Sequence, residues 1–361
     1  MSKRTDASTT ELMWPLALRR PSASTKLIYL DLNHWINLAQ AVTGHSEGLQ
    51  YMPVLQACRA ARAAGTALFP LSASLYTEVS KITDPAQRSD LAELMEELSG
   101  FTSLLTVTAV TDLELDAALT ARLGPSPNPP SAVDLLGPGH GWAVGKLYPL
   151  RIFGPNGDMT EQVRQQMGPQ EFDALMGEME LFTERMMLAG PSDEDLPSVR
   201  ALGWDPLAAH RVAQERADRE QSFQNTLSDE NRRRPGKLRD LVLLREAATE
   251  LKPKFLRAIA ARDCSISEVL GGDDPNVLRA LGHSMPTVEI AVSLKVKDHQ
   301  NKSKAWTSND IFDIDALSLA VPYCDIVVTD AHRCHVLRST HLDQRMKTVV
   351  LAKTIKILDH L

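Results

Sequence analysis

The sequence predicts an α/β protein: a parallel sheet flanked by helices, interrupted by a long and mainly helical insertion. Three observations carry this expectation. Apolar strand-like runs alternate with helical patterns over 26–122, and strand–helix–strand order requires crossovers and therefore parallel pairing. Pro and Gly then dominate 124–141, marking a boundary, and strand character is scarce until about residue 285. The α/β pattern returns in the last part of the chain.

The elements follow in order. Residues 1–25 are rich in Ser, Thr and Arg without apolar periodicity and read as a loosely ordered arm. Lys26-Leu-Ile-Tyr-Leu-Asp31 is a buried strand that passes into a helix over 34–42. A helix over 53–64 stops at Gly65, a strand follows at 67–71, and a further helix opens at Ser72. Helix 86–99, a β-like run at 104–108 and helix 112–122 complete the first part. The insertion, 123–284, carries helical stretches at about 160–188, 206–228 and 237–262. The sheet domain resumes over 285–361 with a helix across 310–320 and apolar runs at 326–329, 348–351 and 355–358, all three read as strands.

Composition narrows the function classes. Of 361 residues 43% are apolar and 24% charged, enough for a sizeable core and too apolar for a disordered chain. The net charge of -7 excludes coating of nucleic acid by bulk electrostatics, so any such contact needs a local basic patch. Cys58, Cys264, Cys324 and Cys334 form neither a C-x-x-C pair nor a zinc spacing, which fits a reducing compartment. The apolar stretch 12–18 contains Pro15 and runs into Arg19 and Arg20, too short for a signal core or a membrane span. A cytoplasmic protein without membrane contact is the expectation.

Acids stand where such a sheet builds active sites. Asp31 ends the first strand and Asp330 ends Ile326-Val-Val-Thr329, and strand carboxyl ends line the ligand crevice of open parallel sheets. Glu78 lies in the helix after the second strand, and Asp310, Asp313 and Asp315 cluster at another helix start. Asp310 and Asp313, three apart, lie on neighbouring faces, whereas Asp315 is about 200° around the helix from Asp313. Each acid alone has a plainer reading, as a helix-dipole partner or a turn residue. Jointly they repel unless a cation neutralises them, and an oxygen-only set suits Mg²⁺ or Mn²⁺.

These residues resemble the PIN-like nuclease family. The likeness lies in Tyr29-Leu-Asp31, Ser72-Ala-Ser-Leu-Tyr-Thr-Glu78, Asp313-Ile-Asp-Ala-Leu-Ser-Leu-Ala320 and Val327-Val-Thr329-Asp330. Asn309-Asp310-Ile-Phe-Asp313 with Pro322-Tyr-Cys-Asp325 also resembles a bacterial subgroup of that family. The likeness covers about 26–122 and 285–361, and the gapless spacing from Asp313 to Thr329 favours Asp313 over Asp315 as the third acid. It implies a Rossmann-like three-layer α/β/α fold and metal-dependent cleavage of RNA or single-stranded nucleic acid, with a toxin or defence role among the possibilities. Asp31, Glu78, Asp313 and Asp330 would hold one or two metal ions, with Asp310 completing the set or holding a water, and Asn33 and Thr329 orienting the carboxylates. The chain departs from the shorter toxin-type members through its insertion, a candidate surface for a homo-oligomer or a regulatory partner.

Substrate contact needs positive charge beside the acids. Lys295, Lys297, Lys302 and Lys304 precede the acidic helix, followed by Trp306; either they engage phosphates and a base, or they form a solvated loop around a core tryptophan. Arg232-Arg-Arg234 reads as a solvated loop, and His34 as a polar neighbour of the helix start. A haloacid-dehalogenase-type phosphatase would need a second Asp where Asn33 stands. The remaining alternative is an inactive PIN-like scaffold that binds nucleic acid or protein through its insertion.

Overall fold

Leu27, Ile28, Tyr29 and Leu30 are all buried, so the first strand offers apolar side chains to both faces, as parallel strands between helices do. The computed structural model describes residues 10–361 except 147–149, 192–193, 202, 204, 206 and 273. Strand β1 (Lys26–Leu30) pairs in parallel with β2 (Ala67–Leu68) on one side and with β3 (Ile326–Val328) on the other. Beyond β3 lies β4 (Val349–Leu351), also parallel, giving the order β4-β3-β1-β2. From β1 the chain moves outward to β2, and from β3 it moves outward to β4. The neighbours β1 and β3 therefore form a topological switch point, with an open crevice at their carboxyl ends.

The helices packed around the sheet and the insertion include α1 (Leu32–Val42), α2 (Ala73–Val79), α3 (Val107–Leu123), α4 (Ala208–Thr226), α5 (Pro235–Ala248), α6 (Pro286–Gln300), α7 (Ser308–Tyr323) and α8 (Ala331–Ser339). Helix α1 starts directly after β1 and α8 directly after β3, each capped by the aspartate that ends the strand. The protein is thus a mixed α/β chain with a parallel sheet, as expected.

Four local expectations need correction. The run at 104–108 is a strand only over Thr102–Leu104, because Val107 already begins α3. Residues 355–358 lie in a 3₁₀ helix, Thr354–Asp359, in which Ile357 is buried while Ile355 and Leu358 stay exposed. The stretch 160–188 is two helices, Thr160–Met167 and Pro169–Ala189, broken at Gly168, whose φ of 91° an L side chain rarely adopts. The arm is docked from residue 10 onward: Leu18–Arg19 pairs with Val133–Asp134, and Trp14 packs edge-on against Tyr323. Residues 1–9 of the expected arm lie outside the described residues.

The insertion does not keep a core to itself. Leu115 and Leu119 of α3, Val242 and Leu243 of α5, and Val288 and Val292 of α6 are buried in one cluster. That cluster joins residues on both sides of the expected boundaries at 122 and 284. Helix α4 is pinned to α7 by Arg216, whose guanidinium donates to both oxygens of Asp315 at 2.5 and 2.9 Å. Among the described residues no helix is long and apolar enough to cross a membrane.

Candidate active site

Asp31 holds extended backbone angles between β1 and α1, and its Oδ1 accepts from the Leu32 N–H at 2.8 Å. Its Oδ2 accepts from Thr329 Oγ1 at 3.4 Å, which ties the end of β1 to the end of β3. Asp330 caps α8 in the same manner, accepting from the His332 and Arg333 N–H groups at 2.7 and 3.1 Å. The capping reading therefore holds for both of these acids.

Glu78 comes from α2, whose start is fixed by Ser72 accepting from the Leu75 N–H. Asp313 comes from α7. Together Asp31, Glu78, Asp313 and Asp330 line one cavity of about 410 Å³, with Asn33, Lys81 and Asn309 at its wall. Four separate elements thus deliver the four expected acids to the crevice at the switch point.

The electrostatics of this cavity are unbalanced. Burial, then the Asp31 and Asp313 charges, push the Glu78 carboxyl up to about 8 against the pull of Lys81. Burial raises Asp313 to about 7, with Asp31 and Asp330 adding to it and Arg333 opposing. Asp31 is raised by burial and by Asp330, partly offset by its bond from the Leu32 N–H. Burial also lowers Lys81, although Glu78 and Asp313 favour its charge.

Asp310 does not join this group. It is the acid of a capping box at the start of α7, where Oδ2 accepts from Thr307 N and Oγ1, both at 2.9 Å. Its Oδ1 takes Lys304 at 2.5 Å and Arg333 at 3.2 Å, so its carboxylate is committed to structure. Asp315 turns to Arg216 as the helical step requires. Asn33 lines the cavity, and Thr329 Oγ1 donates to Asp31 Oδ2 at 3.4 Å.

None of the four expected substrate lysines lines the cavity. Lys295 is 2% exposed and pairs with Glu220 at 2.9 Å and Glu246 at 2.6 Å, so it cannot reach a substrate. Lys302 pairs with Asp229, Lys304 with Asp310, and Lys297 is half-buried on α6. Trp306 is buried and donates from Nε1 to Gln224 Oε1 at 2.9 Å, which makes it a core residue. Arg232 is buried too, donating to the His299 and Gln224 carbonyls, and Arg233 ends the short helix Asp229–Arg233, so only the exposed Arg234 fits a solvated loop. His34 is buried with Nδ1 2.8 Å from Thr354 Oγ1.

Two cations went unnoticed in the sequence. Arg333, 2% exposed, donates to Asp298 at 2.8 Å, Asp310 at 3.2 Å and Asp313 at 3.3 Å. Lys81 donates to Asn309 Oδ1 at 2.5 Å and lies 4.8 Å from the centre of the Phe312 ring. Each stands three residues after an expected acid: Arg333 lies in the first turn of α8 after its cap Asp330, and Lys81 in the turn that follows α2 after Glu78.

Among the described residues no three His, Cys, Asp or Glu side chains are grouped closely enough to ligate one ion as they stand. The donor chemistry of the cavity nonetheless suits a hard divalent cation: four carboxylates and the Asn33 amide offer oxygen donors, with too little positive charge around them. Comparisons with known protein families, curated proteins and solved structures return no match for this chain.

Proposed function

We propose that the chain is a metal-dependent nuclease of the PIN-like kind, hydrolysing phosphodiester bonds in RNA or single-stranded nucleic acid. One observation carries the reading. Asp31, Glu78, Asp313 and Asp330 reach a single cavity from four elements, and repulsion and burial hold protons on Glu78 and Asp313 near neutral pH. A buried excess of negative charge is costly to the fold, and a site that takes up Mg²⁺ or Mn²⁺ is a chemical reason to keep it.

The four carboxylates would hold the ion, closing on it once it neutralises their repulsion. When bound, such an ion supplies the positive charge that lets a phosphodiester enter and stabilises charge developing on its oxygens. The chain's own groups do the rest. Thr329 and the Leu32 N–H fix both oxygens of Asp31, and the first turn of α8 fixes Asp330. Arg333 takes Asp313 Oδ2 from behind, which orients that carboxylate and leaves Oδ1 for the cavity. Serine and cysteine nucleophiles play no part in this scheme.

The test is cleavage of labelled single-stranded RNA and DNA with Mn²⁺, Mg²⁺ or EDTA, comparing intact protein with Asp31→Asn and Asp330→Asn. Metal-dependent cutting that both substitutions abolish is the expected result. Intact protein that neither cuts nor binds the metal would leave the scaffold reading in its place.

A further inference from the structure

We infer that Lys81 receives the phosphodiester of the substrate, together with the amide of Asn309, in place of the lysines that precede α7. The inference rests on the nuclease reading and names the substrate-binding groups of that site.

Lys81 is the one cation among the described residues that line the acid cavity. It enters no ion pair among the described residues, although Glu78 stands three positions before it and Asp313 is near enough to act on its charge. Its ammonium instead meets a neutral amide oxygen and an aromatic face: Asn309 Oδ1 at 2.5 Å and the Phe312 ring at 4.8 Å. Both partners position the ammonium without neutralising it. A cation held at the wall of an acid cavity with its charge uncommitted is poised for an anion that arrives from outside.

Asn309 extends the argument. Because its Oδ1 accepts from Lys81, its two Nδ2 hydrogens are free to donate to phosphate oxygens. Asn309 and Phe312 sit on α7, the helix that supplies Asp313, so the phosphate-binding pair and a metal-binding acid share one rigid element. The insertion braces this rim. His210 of α4 lies with Nε2 3.0 Å from the Thr77 carbonyl, beside Glu78, and packs edge-on against Phe312.

The lysines expected for this role are spent elsewhere. Lys295 is locked between two glutamates, Lys304 answers Asp310, and Lys302 answers Asp229.

The experiment compares the full-length protein with Lys81→Met and Lys81→Arg, measuring Mn²⁺ affinity and binding of a short single-stranded RNA in Ca²⁺ across a salt series. Lys81→Met is expected to weaken RNA binding by about tenfold, the scale of one charged hydrogen bond. It should also reduce the slope of log affinity against log salt by about 0.7, the value for one lost phosphate contact on a single strand. Mn²⁺ affinity should equal or exceed that of the unsubstituted protein, and Lys81→Arg should restore most of the RNA affinity. RNA binding and salt slope unchanged in Lys81→Met, with Mn²⁺ binding intact, overturn the lysine assignment alone. A matched loss of Mn²⁺ affinity also overturns it, because the lysine would then be serving the fold of the acid cavity. Unsubstituted protein that binds neither Mn²⁺ nor RNA overturns the nuclease reading and this inference together.

Discussion

Two clusters of buried charge lie on either side of α7, and they are built on opposite principles. Where the insertion meets α6, Glu220 and Glu246 face Lys295 and Arg245, with His299 Nε2 donating to Glu220 Oε2. Acids and bases are matched there, and although burial opposes it, His299, Lys295 and Arg245 together hold the Glu220 carboxyl well below its ordinary range. In the acid cavity four carboxylates meet Lys81 and Arg333, and Arg333 is divided among Asp298, Asp310 and Asp313. There Asp31, Glu78 and Asp313 all rise, whereas in the matched network only Glu246 rises, by burial and the nearby Glu220 against the pull of Lys295. A balanced buried network joins elements of the fold to each other. An unbalanced one costs the fold stability and calls for something from outside.

Substitutions should therefore act with opposite sign in the two places. Lys295→Met takes from two buried glutamates the lysine they share and should cost about 3–5 kcal/mol, the usual toll for breaking a buried ion pair, read from urea unfolding. A small effect there would mean the network is less closed to water than its burial implies. Next in size, Mn²⁺ at about a hundred times its dissociation constant should stabilise the protein by about 2.7 kcal/mol. Asp31→Asn should remove most of that gain, measured as a shift of the thermal midpoint.

Glu78→Gln should stabilise the metal-free protein, by roughly 1–3 kcal/mol at neutral pH, because the amide is neutral without taking up the proton that folding imposes on Glu78. The pH dependence has a definite sign. Glu78 and Asp313 bind protons more tightly in the folded state than their ordinary values of 4.5 and 3.8, rising to about 8 and about 7. Their contribution is whole below about pH 4 and is lost as pH rises through about 8, so metal-free stability should fall across that window. In Glu78→Gln the fall should be shallower, and an unchanged slope would locate the titrating groups elsewhere. The smallest effect belongs to Lys302, whose pair with Asp229 is exposed: Lys302→Ala should change stability by less than about 1 kcal/mol.

What the sequence made legible was whatever depends on neighbours along the chain. Asp31 and Asp330 could be placed because a strand's end and the next helix's start are adjacent in sequence; the helical step set Asp313 and Asp315 on different faces, and the family resemblance chose between them. Lys295 could not be placed. Its partners Glu246 and Glu220 stand 49 and 75 positions earlier, inside the insertion, and no local pattern announces such a pair. The same holds for Trp306, whose burial depends on Gln224 of α4. Asp310 is a different case: Thr307 three residues before it is a local capping signal, which favours a structural role for that acid over a place beside Asp313. The insertion boundary was obscured because α3, α5 and α6 share one core across it.

The most direct measurement is calorimetric titration of the protein with Mn²⁺ at about pH 6.5, repeated in buffers of different ionisation enthalpy. With Glu78 and Asp313 raised to about 8 and about 7, both carry protons at that pH, and an ion entering between them must displace them. The account predicts binding with release of between one and two protons, and loss of both binding and release in Asp31→Asn. Binding without proton release, or no binding at all, would contradict it.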